Sequence, residues 1–180
     1  GLIVFRFSLE NWKSIDIGLI LFSFFLLSLV FIPFIGHEAN GASRWIRLFG
    51  FSFQPSELMK FSLIVYISSY CYRRMTEFKE KWIGFWKPVL VVVLAIALVL
   101  LEPDLGSSAV IFLISLTIMF IAGAPLKQMS IILFMGSMVF VSMIILVPWR
   151  MQRILSFVDP WSAYGESGYQ LSQALIAFSR

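Results

Sequence analysis

Residues 88–122 read PVLVVVLAIALVLLEPDLGSSAVIFLISLTIMFIA, two apolar runs that meet at Glu102-Pro103-Asp104. Outside that hinge the stretch holds no charged residue. Each run approaches the roughly 20 apolar residues that cross a bilayer as a helix. Pro103 disfavours helix at Glu102, so the hinge reads as a tight turn, residues 102–106, between two spans. An outer-membrane barrel would instead show short segments of alternating hydrophobicity.

The same pattern extends in both directions. Upstream, apolar spans are predicted over residues 15–35 and 55–72, the second opened by Pro55, a residue favoured at the first helical position. The hinge joins spans over 88–101 and 105–122, and a further span covers 129–147 up to Pro148. Residues 1–7 read as the end of a span, and a new helix begins near Leu171. Residues 37–54 form a polar loop, and a basic segment, 73–87, separates the second span from the third.

Composition agrees with this reading. The chain has 180 residues, 59% hydrophobic and 13% charged, with a mean hydropathy of +0.90. Soluble domains carry about a quarter charged residues, and disordered chains need low hydrophobicity, so both classes are excluded. The expected fold is all-α: a polytopic helical membrane protein of about five spans plus partial helices at both ends, forming one integral membrane domain over residues 1–180. The chain opens on Gly1 and closes in helical-looking sequence, which reads as a piece of a longer protein. Cys71, the single cysteine, cannot form an intrachain disulfide and reads as a small apolar residue at a span end.

The net charge of +4 speaks to orientation rather than to nucleic acid, because Lys and Arg concentrate in cytoplasmic loops. Arg73, Arg74, Lys79, Lys81 and Lys87 fall in one short segment, which is therefore predicted to be cytoplasmic. The loops holding Arg44, Asp104 and Asp159 then face outward, and their cations need a reason to be there.

Arg44, Trp45 and Arg47 suit an anion whose body lies in lipid: guanidinium offers a planar fork for phosphate oxygens, and Trp prefers the headgroup level. Contact with bulk lipid phosphates is the plainer alternative. Glu57 falls in the first turn after Pro55, where the helix dipole favours an anion. Lys60, three residues on, shares its face about 8 Å below the helix start. Such a residue faces either a polar cavity or its own neighbour, as a Glu57–Lys60 pair with the lysine snorkelling upward. Asp104 suits the N-cap of the following span. Glu102 is a weaker candidate, for pairing with the outward arginines or for a divalent cation, although two carboxylates fall short of a metal site. Arg150 and Arg153 share a helical face and add positive charge to the outward side, enough for an electrostatic trap for a phosphate or pyrophosphate. His37 is assigned no role.

Five motifs in order carry a resemblance: Gly41-Ala42-Ser43-Arg44-Trp45-Ile46, Gln54-Pro55-Ser56-Glu57-Leu58, Glu102-Pro103-Asp104-Leu105-Gly106, Phe157-Val158-Asp159-Pro160-Trp161 and Gly168-Tyr169-Gln170. They resemble the SEDS (shape, elongation, division, sporulation) family, and its division-type members more than its elongation-type ones. The resemblance implies the middle portion of a roughly ten-span fold. It implies a peptidoglycan glycosyltransferase that polymerises lipid II, an undecaprenyl-pyrophosphoryl disaccharide-pentapeptide, at the outer face of the bacterial inner membrane, at the division septum. Its implied partners are a class B penicillin-binding protein transpeptidase, other divisome membrane proteins and membrane lipids, with no nucleic acid.

The family's acid/base carboxylate lies in a His-Thr-Asp-like stretch of a large outer loop. These 180 residues lack that stretch, so the catalytic residue is expected beyond Arg180 and the fragment alone is expected to be inactive. Ala163-Tyr164 stand where many relatives carry a second Asp-Pro. No resident cofactor is implied, and a divalent cation is left open. Substrate-binding candidates are Arg44, Trp45, Arg47, Glu57, Lys60, Arg150, Arg153, Tyr169 and Gln170. Gln54, Pro55, Ser56, Glu102, Pro103, Asp104, Gly106, Asp159, Pro160 and Gly168 form the structural motifs. Two other classes compete: a flippase or transporter for the same lipid, and a non-catalytic divisome scaffold.

Overall fold

A computed structural model describes residues 9–32, 36–39, 42–48, 51–148, 150–151, 173 and 176–178. Helix α1 spans Leu9–Leu29 and is followed by three short strands: β1 (Gly36–Ala39), β2 (Ala42–Leu48) and β3 (Phe51–Phe53). Then come α2 (Pro55–Arg73), α3 (Met75–Glu80), α4 (Trp82–Leu101), α5 (Leu105–Ile121) and α6 (Leu126–Ile145). The chain forms two compact units, residues 1–131 and 132–180.

Within the first unit α2 is the central element, packed against α1 on one side and α5 on another. Its contacts invert the pattern of a soluble protein. Ser62, Ser108 and Ser115 are buried, while Leu21, Phe25, Leu90 and Leu113 point outward. In lipid there is no hydrophobic gain between helices, so small and hydroxylated residues draw them together. Ser23 of α1 and Ser62 of α2 meet oxygen to oxygen at 2.6 Å. With one proton apiece, one hydroxyl donates across the pair and the other back to its own helix, Ser23 to the Leu19 carbonyl or Ser62 to that of Leu58. Helices α1 (over Trp12–Leu29), α4 and α6 are each long and apolar enough to cross a membrane, whereas α5 is apolar but has 17 residues.

Several boundaries differ from the sequence reading. The first span begins at Leu9 and ends at Leu29 rather than covering 15–35. Asp16 therefore lies well inside the helix, where it is buried and ion-paired with Arg73. The span expected at 88–101 begins at Trp82, and its 20 residues reach about 30 Å, enough for the hydrocarbon core. The last begins at Leu126 rather than 129 and ends at Ile145 rather than 147. The basic segment 73–87 is largely helical, holding α3 and the opening of α4. Residues 1–8 and the helix expected near Leu171 fall outside the described residues, apart from helical positions at 173 and 176–178.

Pro88 within α4 has a specific accommodation. Proline has no N–H and so leaves the carbonyl four residues earlier without its helical donor. That carbonyl belongs to Gly84, and the buried Tyr70 hydroxyl donates to it at 2.8 Å. Gly84 also sits directly against α3: a Cβ there would lie 2.1 Å from the Glu77 carbonyl oxygen. Tyr70, Gly84 and Pro88 thus form one device that seats α4 against α2 and α3.

Candidate functional site

Within the segment 37–54, expected to be a polar loop, β1, β2 and β3 form a three-stranded antiparallel sheet in the order β1-β2-β3. Its reason is a short alternation: β2 ends Ile46-Arg47-Leu48 and β3 reads Phe51-Ser52-Phe53, the period of a half-buried strand. Ile46 is fixed between Gly36 on one side and Phe53 on the other and is buried. The β1–β2 register shifts between His37, paired with Trp45, and Glu38, paired with Ser43, so Arg44 is the extra residue of a β-bulge. Bulges re-aim chain direction and recur beside functional sites. Trp45 is half-buried beside it. The side chains of Arg44 and Arg47 lie outside the described residues.

Strand β3 runs directly into α2 through Gln54, with Pro55 at the first helical position. The α4–α5 turn meets the same end. Asp104 caps α5, its Oδ1 accepting from the Ser107 N–H at 3.0 Å. Its Oδ2 accepts from Gln54 Nε2 at 3.2 Å. One buried carboxylate therefore ties the Gln54-Pro55-Ser56-Glu57 motif to the Glu102-Pro103-Asp104 motif across a sequence separation of 50 residues. Ser56 and Glu102 are buried at this junction, the latter only 2% exposed. Gly106, in the first turn of α5, leaves room beside Asp104 Oδ1.

Lys60 Nζ donates to Glu57 Oε1 at 2.6 Å. The lysine side chain is 18% exposed and the glutamate 58%, so the lysine stem is buried and its ammonium reaches toward the helix start. Of the two arrangements open from the sequence, the described contact is the local pair, with glutamate on the N-terminal side as i,i+3 geometry favours. Among the described residues no group of three or more His, Cys, Asp and Glu forms a metal-binding cluster.

Arg150 lies in the second unit, and its Nη1 donates to the Met143 carbonyl at 3.2 Å. Arg153, Asp159, Pro160, Gly168, Tyr169 and Gln170 fall outside the described residues.

At the far end of α2 lies a cluster the sequence reading missed. Arg73 pairs with the buried Asp16 carboxylate and donates to the Lys13 carbonyl at 3.3 Å. Lys13 Nζ sits 3.8 Å from the Tyr72 ring centroid, and Arg74 bonds Glu77 at 2.9 Å. A lone acid inside an apolar window was the available signal for Asp16.

Buried serines, outward leucines and membrane-length helices define a helical integral membrane protein. The family model described as "Cell cycle protein", covering FtsW, RodA and SpoVE, matches residues 1–180. The chain belongs to this family of integral inner-membrane proteins. It is 42% identical over all 180 residues to the "Probable peptidoglycan glycosyltransferase FtsW" of Saccharophagus degradans, covering 46% of that protein. To the protein of that name from Wigglesworthia glossinidia brevipalpis it is 44% identical over 172 residues, 96% of this chain and 44% of that one.

Two solved structures share the fold. One, described as "Structural coordination of polymerization and crosslinking by a peptidoglycan synthase complex", aligns with a TM-score of 0.73 and 28% identity over 98% of this chain and 52% of that chain. The other, Thermus thermophilus rod shape determining protein RodA, aligns with a TM-score of 0.63 and 28% identity over 77% of this chain and 44% of that one. The chain spans a little under half the length of these curated relatives.

Proposed function

We propose that this chain is part of a division-type peptidoglycan glycosyltransferase that polymerises lipid II at the periplasmic face of the inner membrane, at the septum, alongside a class B penicillin-binding protein. The observation that carries the reading is the 42% identity, over every residue of the chain, to a relative named for that activity. The geometry supports it by joining two of the motifs at a single carboxylate, Asp104.

Glycosyl transfer from a lipid pyrophosphate needs a base for the attacking hydroxyl and positive charge on the leaving group. In this reading Arg44 and Lys60 hold the phosphates, Trp45 and Arg47 flank them at the headgroup level, and Glu57 positions Lys60. Arg150, Arg153, Tyr169 and Gln170 are further substrate-binding candidates in the later segment. The base is not assigned to a residue of this chain. The Arg73–Lys87 end faces the cytoplasm, following the concentration of Lys and Arg there.

The test uses the full-length protein with its transpeptidase partner and labelled lipid II. Glycan polymer is expected, reduced at least tenfold by Arg44→Gln and by Lys60→Gln. Transfer of lipid II between leaflets without polymer, or partner recruitment as the sole activity, overturns the proposal.

A further inference from the structure

A cleft lies remote from the Gln54–Asp104 junction. It lies at the opposite end of α2, has a volume of about 790 Å³, and is bounded by α1, α2, α3 and α4. Its walls divide by chemistry. Ile17, Tyr66, Tyr70 and Met75 supply an apolar and aromatic lining, while Arg73, Arg74 and Lys87 supply cations, Arg73 paired with Asp16 behind the wall and Arg74 with Glu77, leaving one positive charge in excess. A cleft that is greasy along one wall and cationic at its rim is matched to an amphiphile with a negatively charged head.

The cations are held rather than merely nearby. Arg73 is anchored by Asp16 and the Lys13 carbonyl, and Arg74 by Glu77. A guanidinium carries five N–H donors, so these anchors fix two planar forks and leave further donors for phosphate oxygens. Lys87 lies within the apolar window that begins at Trp82, about 7.5 Å along the helix at 1.5 Å per residue. Lys87 is exposed beside Trp86 and lines this cleft, so its ammonium is available at the rim. Trp82 and Trp86, with ring centroids 5.6 Å apart on the same helix, mark the headgroup level at which a bound phosphate would sit.

We propose that this cleft binds an anionic phospholipid, its phosphate held by Arg73, Arg74 and Lys87 and its glycerol and upper acyl region laid along Ile17, Tyr66 and Met75. Basic hollows between membrane helices have the chemistry for such headgroups. The lipid would brace α1, α2, α3 and α4 at one point, and so stabilise the end of the bundle where Asp16 is buried.

The test reads lipid retention without substrate, so its outcome is independent of the polymerase reading. Full-length protein is reconstituted in nanodiscs of phosphatidylcholine with phosphatidylglycerol, and lipids kept on gentle release are counted by native mass spectrometry. Wild type is expected to retain phosphatidylglycerol over phosphatidylcholine. Lys87→Gln is expected to lower that preference about fivefold, the equivalent of about 1 kcal/mol per cation near an anionic surface at 1.4 kcal/mol per tenfold. Lys87→Arg should preserve the preference, as should Lys79→Gln, which removes a charge from α3 outside the cleft. The charge-balanced pair Arg74→Gln with Glu77→Gln should lower it while leaving net charge unchanged. Equal retention of the two lipids by wild type overturns the proposal, and so does equal loss in Lys87→Gln and Lys79→Gln. If the Lys87→Gln protein cannot be isolated, the Arg74→Gln with Glu77→Gln pair compared with Lys79→Gln decides, and equal retention by those two overturns the proposal.

Discussion

Replacing Asp104 by Ala removes two bonds with separate consequences, and their sum can be worked out. Loss of the N-cap acceptor for the Ser107 N–H costs about 1 kcal/mol. Loss of the bond from Gln54, made to a charged acceptor but long at 3.2 Å, costs about 1.5 kcal/mol, the low end for such bonds. The expected total is about 2.5 kcal/mol. Asp104→Asn should cost about 1 kcal/mol, because Asn still caps a helix and its amide can donate to a rotated Gln54. Reversible SDS unfolding of the full-length protein, followed by tryptophan fluorescence, measures both. A double-mutant cycle with Gln54→Ala isolates the cross-motif bond and should give a coupling of about 1.5 kcal/mol. The reasoning fails if the two substitutions add within about 0.3 kcal/mol, or if Asp104→Ala is no more destabilising than Asp104→Asn.

Other consequences can be checked in the same protein. Tyr70→Phe strands the Gly84 carbonyl, which Pro88 cannot serve, and should destabilise by about 1–3 kcal/mol in the same unfolding assay. Gly84→Ala forces a Cβ against the Glu77 backbone. It should cost about 3 kcal/mol or more, at the upper end for overpacking, seen as a large fall in Tm. The Arg74 hydrogen bond, aided by the charges of Arg74, Lys87 and Lys81, holds the Glu77 carboxyl below its ordinary value of 4.5. Its contribution is therefore present above that value and lost as pH falls through the lower, folded one. Thermal unfolding as a function of pH should show wild type exceeding Glu77→Gln at neutral pH and converging with it in acid.

How much of this was legible differs from element to element. The start of α2 at Pro55 and the turn at Glu102-Pro103-Asp104 are local signals, a helix-opening proline and a cap, and the sequence reading placed both where the structure has them. The opening of α4 was not legible, because Pro88 reads as a helix start unless Tyr70 is known to satisfy the Gly84 carbonyl. That information is tertiary. The sheet was missed for a different reason: the alternation in β2 is short and sits among Gly and Ser, which favour a loop reading. Asp16 stands out as the lone acid of its apolar window, but its partner is tertiary information, and only the contact with Arg73 shows why an acid is tolerated there. For the candidate site, sequence order supplied the motifs. The link between Gln54 and Asp104, and the bulge at Arg44, came from the structure.

The central claim is that the sheet–α2–α5 junction grips the phosphorylated head of lipid II. Equilibrium binding of labelled lipid II to full-length protein in nanodiscs tests it most directly, comparing Lys60→Gln with Lys127→Gln, a charge removed from the exposed start of α6. Kd is expected to rise at least about tenfold for Lys60→Gln, the loss of about 1.4 kcal/mol, and to stay unchanged for Lys127→Gln. Equal affinities for the two variants and wild type would contradict it.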